Sequence, residues 1–273
     1  MMMRVFKQSI FWIAVSCAAL HASWAHAEAK LDLRTLHQLQ LDLLEVASQF
    51  HRYQGSEGNK KYYLSISSKL DGVKKALTDT VNALENYGLT NEAQTLKTHS
   101  QEYLKNLNTA LASIKNGGFA AFSVIDAYLN AHDAILSALS DAYLAINSAG
   151  GYSVPPRVAE LRGLTLLMQR MYTKYIEVSS SQFGYTPRSG QENAETIDDL
   201  AARFTRNLEE LKNAIPVNSP YAPRINDVQT TWLFLEKSFV NYNEKSVPYL
   251  ITKFGNQIIE ELSAIAEEME SEA

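Results

Sequence analysis

Cysteine occurs once in this chain, at Cys17, inside a segment that reads as an export signal. Beyond residue 27 the chain has no thiol. That excludes a disulfide, a thiolate nucleophile, cysteine-ligated zinc and covalently attached c-type haem. An excess of basic side chains is also lacking: 25 Lys and Arg face 30 Asp and Glu, a formal net charge of −5. Removing residues 1–27 takes away Arg4 and Lys7 and no acid, which makes the remainder more negative still. Neither nucleic acid, which needs a basic face, nor a polybasic membrane contact suits that balance. After the first segment no apolar run approaches the roughly 20 residues of a transmembrane helix, so the chain is expected not to span a membrane. No segment sustains period-two alternation, and no strand is predicted.

Catalytic signatures are missing as well. Four histidines lie beyond residue 27, at His37, His51, His99 and His132. No two are spaced i, i+4, and there is no His-Glu-x-x-His. Glu-x-x-His, which carboxylate-bridged di-metal bundles require, does not occur. Glu45, Glu102, Glu209 and Glu210 fall off the apolar seams of their helices and read as solvated faces. No glycine-rich phosphate loop, nucleophile elbow or paired-acid motif is visible. The expectation is a protein that is not an enzyme and carries no cofactor. His132 alone lies on a helix seam. It reads as a core histidine bonded to a polar neighbour such as Thr80 or Ser100, with a haem or metal ligand as the competing role.

The first residues have the make-up of a targeting segment. Arg4 and Lys7 give a positive start, Ile10 to Leu20 an apolar core too short to anchor, and Ala25-His26-Ala27 a cleavage site. Residues 1–27 are expected to be a signal peptide, and the mature chain a soluble periplasmic protein beginning at Glu28. The alternative is lipoprotein processing at Ala14-Val15-Ser16-Cys17, where Ala14 stands in the place a lipobox usually gives to Leu.

Heptad spacing, by contrast, is abundant. Phe122, Ile125, Leu129, His132, Leu136, Leu139, Tyr143 and Ile146 alternate steps of three and four, the seam of a packed bundle helix. Similar seams run through Leu36–Tyr53, Tyr63–Leu84, Val158–Val178, Ile197–Ile215, Val228–Phe239 and Ile251–Met269. Together with a helix over 91–115 they predict eight helices. Gly88 is placed to end the second, Thr90 to cap the third, and 183–193 and 216–223 are predicted loops. The strongest break is Gly150-Gly151 through Pro155-Pro156. The predicted fold is therefore all-α, an antiparallel helical bundle made of two tandem four-helix bundles, 28–149 and 154–273. Four helices, a break and four more suggest an internal duplication; one longer bundle is the competing arrangement.

One stretch has a recognisable texture: Leu161-Arg162-Gly163-Leu164-Thr165-Leu166-Leu167-Met168-Gln169-Arg170-Met171. It resembles the motif that opens the sensor domain of type IV pilus methyl-accepting chemotaxis transducers, related to the first periplasmic helix of nitrate-sensing kinases. That motif is approximately Ala-Gly-Arg-Gln-Arg-Met-Leu-Ser-Gln-Arg-Met. Gln169, Arg170 and Met171 match its end and Leu167 its leucine. The earlier arginines of the motif fall at Gly163 and Thr165, and its glycine at Arg162. The likeness covers about residues 156–249, and Trp232 lies where such domains often place a tryptophan. In those receptors motif arginines contribute to ligand or anion binding at a dimer interface, and here only Arg170 carries over. The resemblance implies an exported, non-enzymatic binding or sensory-accessory module without a membrane anchor. Gln169, Arg170 and Met171 would lie at a ligand site or a homodimer interface. Its partner would be a small-molecule ligand or an envelope protein, and a purely protein-binding adaptor or assembly factor is the alternative.

Overall fold

The structure is a computed structural model that describes residues 3–181, 195–242 and 246–272, with side chains from residue 28 onward. The side chains of the expected signal segment 1–27 and most of the predicted loop at 183–193 lie outside the described residues. Among the described residues eight helices run in order: α1 (Met3–Gly55), α2 (Lys60–Asn86), α3 (Thr90–Gly117), α4 (Phe122–Ala149), α5 (Pro156–Ser180), α6 (Ile197–Ala214), α7 (Tyr221–Val240) and α8 (Pro248–Glu272). α1 and α3 each pack between α2 and α4; α5 and α7 each pack between α6 and α8. These are two four-helix squares, and they meet where α1 lies against α5.

The seams explain the squares. Leu36, Leu39, Leu43, Val46, Phe50 and Tyr53 of α1 are all buried, as are Val158, Leu161, Leu164, Met168, Met171 and Tyr175 of α5. Burying each such side chain stabilises by about 1.5–3 kcal/mol. Trp232 belongs to this packing. Its ring lies 4.6 Å from that of Phe204 and 5.7 Å from that of Phe239, and its indole N–H donates to Thr205 Oγ1 at 2.9 Å.

Helix ends obey local chemistry, with three departures from expectation. Gly88 (φ 74°) takes the left-handed conformation that terminates α2, and Asn59 caps its start by accepting from the Lys61 N–H at 3.0 Å. Thr90, expected to cap α3, is instead its first residue, and no side chain bonds at the cap. Pro223, expected in a loop, lies in the first turn of α7, where a missing N–H leaves nothing unpaired. Phe122, expected on the α4 seam, is 67% exposed because it opens the helix beyond the reach of its neighbours.

Candidate functional site

α1 and α5 are each buried on two faces. One face enters the helix's own square; the other faces the opposite bundle. On that second face of α5 lie Arg162, Thr165, Gln169 and Thr173, all buried. Opposite them α1 buries His37, Leu41 and Leu44. Buried polar groups need partners, and most have one. Thr173 Oγ1 donates to the Leu44 carbonyl at 3.0 Å, and Thr165 Oγ1 lies 3.0 Å from His37 Nε2. Burial, with Arg162 nearby, pushes the His37 imidazole down to about 3. It therefore stays neutral at physiological pH.

One end of this seam is closed by charge. Glu270, fully buried near the end of α8, accepts from Arg162 at 2.9 Å and from Arg34 at 3.0 Å. The Tyr152 hydroxyl donates to its other oxygen at 3.0 Å. Burial and then the Glu270 charge push that phenol up to about 12. Lys30 donates to the Glu270 carbonyl, and Arg162 also donates to the Tyr143 hydroxyl at 3.3 Å. α1, α4, α5 and α8 thus converge on a single ion-pair cluster.

Two grooves flank the middle of the seam. The first, about 470 Å³ in volume, runs between α4, α1 and α5. α4 supplies His132, Asp133, Leu136, Ser137 and Ser140, and α5 supplies Arg170, Thr173, Lys174 and Glu177. His51 and His132 are buried in its wall. Arg170 keeps contact with solvent, yet burial in the concave surface lowers its guanidinium from the usual value. Arg203 adds to that lowering, while Glu195 and Asp133 oppose it. Arg170 makes no hydrogen bond to a carboxylate among the described residues, so its planar fork of donors remains available.

The second groove, about 480 Å³, lies across the seam between α1 and α8. Asp42, Glu45, Glu260 and Glu267 line it with a single cation, Lys69. Gln169 forms part of its wall: it is 5% exposed, and its amide nitrogen has no hydrogen-bond partner among the described residues.

The three adjacent residues expected to share a site therefore point in three directions, because successive positions on a helix are turned by about 100°. Arg170 lines the first groove, Gln169 the second, and Met171 is fully buried in the core. His132 is buried as expected, but its surroundings differ. The Thr80 and Ser100 hydroxyls donate to carbonyls of their own helices. The imidazole packs instead beside the Tyr103 and Tyr128 rings, at 5.9 and 6.1 Å between centroids. Among the described residues no three His, Cys, Asp or Glu side chains stand together to hold a metal.

Sequence reasoning missed the Arg162–Glu270 cluster and the second faces of α1 and α5. A signal was present. Leu41, Leu43, Leu44, Val46 and Ala47 run almost all the way round α1, the mark of a helix enclosed on more than one side. Compared with protein-family models, curated proteins and solved structures, the chain matches none.

Proposed function

We propose that the protein is an exported, non-enzymatic binding or sensory-accessory module that holds a small anionic ligand between its two bundles, against Arg170. The observation that carries this reading is the Arg170 guanidinium, which lines an open groove of about 470 Å³ without a hydrogen-bonded carboxylate among the described residues. The likeness of Gln169-Arg170-Met171 to the transducer motif supports the same residue. A carboxylate or inorganic oxyanion matches a guanidinium fork in geometry and charge. Asp133 and Glu177 offset Arg170 and Lys174 in the groove, so a monoanion or a zwitterion suits it better than a polyanion. No described helix is long and apolar enough to cross a membrane, so a bound state would be passed on through a partner protein.

The test is thermal unfolding of the full chain against a panel of nitrate, small carboxylates and amino acids. Saturating ligand at about 100 times its Kd should add about 2.7 kcal/mol to stability. Arg170→Ala should abolish that gain while changing the ligand-free stability by less than about 1 kcal/mol, since the side chain reaches solvent. A variant that responds like wild type, or a wild type that responds to nothing in the panel, would remove the reading.

An envelope adaptor is the second reading. It is favoured by an apolar ridge on α7 and α8, where Leu233 and Phe234 are each 57% exposed and Tyr249 74%. Phe234 stacks edge-on to Phe254 at 5.2 Å. Phe234→Ser would weaken partner retention under this reading and leave ligand response intact.

A further inference from the structure

α7 carries two heptad seams. The inward one, Ile225, Val228, Trp232, Leu235 and Phe239, is buried in the second square. The outward one, Asn226, Thr230, Leu233, Lys237 and Val240, repeats the same steps of three and four and is exposed along its length. Leu233 and Phe234 each keep 57% of their surface in water, and Val240 48%. α3 holds the corresponding place in the first square, and its exposed positions carry no apolar side chain larger than Ala112. Large apolar side chains in a row on an outer face mark a contact surface, and a heptad repeat is the pattern that a further helix meets. Phe234 is held from behind, because its ring meets that of Phe254 on α8 edge-on at 5.2 Å.

We infer that α7 is the contact helix of a homodimer, lying antiparallel to α7 of a second copy about a two-fold axis beside Leu233 and Phe234. Charge selects this occupant. Asp227 stands on one side of the apolar pair and Lys237 on the other. Both are exposed, and neither forms an ion pair among the described residues. A two-fold axis across antiparallel helices sets the Lys237 end of each copy against the Asp227 end of the other, so the contact is made twice. With the axis between positions 233 and 234, a rise of about 1.5 Å per residue puts Lys237 about 5 Å from it and Asp227 about 10 Å. The flexible four-carbon stem of lysine spans that offset. Leu233 of each copy then packs against Phe234 of the other. A parallel pairing in register sets Lys237 against Lys237 and Asp227 against Asp227, which like charges oppose.

This assignment gives the ridge of the adaptor reading to a second copy in place of a foreign protein. It does not rest on the ligand reading. α7 packs between α6 and α8, diagonal to α5 in its square, so the dimer leaves the Arg170 groove open.

The experiment is sedimentation velocity of the full chain from the micromolar to the millimolar range. A monomer–dimer equilibrium is expected. Phe234→Ser should weaken it by about tenfold or more, with folding retained because the side chain is largely exposed. Asp227→Lys and Lys237→Glu should each weaken it several-fold, since each sets like charges face to face. Mixed in equal amounts, those two variants should associate again: every introduced lysine then faces an introduced glutamate, and every native lysine a native aspartate. Arg170→Ala should leave the equilibrium unchanged, so failure of the ligand reading and failure of this one are separate results. A chain that stays monomeric throughout, which leaves the ridge to a different protein, would overturn the inference. A dimer that Phe234→Ser leaves intact, or charge variants whose mixture associates no better than either alone, would overturn it as well.

Discussion

Glu270→Ala removes the one anion on which Arg162 depends. Arg162 is 5% exposed and Glu270 is fully buried. Breaking a buried pair from one side leaves a charge in low dielectric, which costs about 3–5 kcal/mol. The Arg34 contact adds little, because that guanidinium is 39% exposed and pairs of that kind contribute about 0–1 kcal/mol. The Tyr152 bond adds about 1 kcal/mol. Position sets the cost at the lower end, since Glu270 is near the end of α8 and the final turn can fray to hydrate Arg162. The expected loss is thus about 3 kcal/mol, which for a chain of this size lowers Tm by roughly 6–12 °C. Urea denaturation at pH 7 measures it directly, as a fall in midpoint with an unchanged slope. Glu270→Leu combined with Arg162→Met should recover most of the loss, because an apolar pair replaces a charged one without orphaning either partner. A Glu270→Ala variant within about 1 kcal/mol of wild type would show that Arg162 is hydrated in solution and does not depend on the Glu270 carboxylate.

His37 gives a pH dependence of known sign. Its folded pKa of about 3 lies below the unfolded value of 6.5, so the unfolded chain takes up the proton first. Its contribution is fully present above pH 6.5 and is lost as pH falls from there towards 3, by about 1.4 kcal/mol per pH unit. The urea midpoint should drop by about 2 kcal/mol equivalent between pH 7 and 5, and His37→Gln should flatten that part of the curve. Expressed apart, residues 28–150 and 154–273 should each melt cooperatively by circular dichroism, because each retains a closed square. Both should melt below the full chain, since Leu44 and Thr173 lose their seam, and a half with no transition would make the chain one folding unit.

The heptad seams carried most of the architecture in the sequence because a two-sided choice, apolar or polar, is all that packing into a square requires. The contact between the squares was illegible for the opposite reason. His37, Thr165, Gln169 and Thr173 look like solvent-facing positions on a helical wheel, and only the approach of α1 to α5 encloses them. Glu270 reads as part of an acidic tail in Ala266-Glu267-Glu268-Met269-Glu270. Nothing local separates it from Glu267 and Glu268, which stay exposed. The sequence singles out Arg170, but the residues facing it across the groove come from α1 and α4, distant in sequence.

The two squares correspond helix by helix, the pattern a duplicated four-helix unit would give. α1 and α5 are the first helices of their squares and make the contact between them. An approximate two-fold relation between the halves would put them face to face and give one groove on each side of the seam. Tyr143 and Glu270 test the idea at a third place. Each stands three positions after its groove residue, Ser140 or Glu267, and both contact Arg162. A single arginine is thus shared by corresponding positions of α4 and α8, one keeping a neutral hydroxyl and the other a carboxylate. On the opposite side the equivalent of Arg162 by the same register is Lys30, whose ammonium reaches the Glu270 carbonyl. Two cations at matching positions converge on one end of α8. The second bundle supplies the anion, Glu270, and the first brings Lys30, Arg34 and Tyr143 to the same cluster.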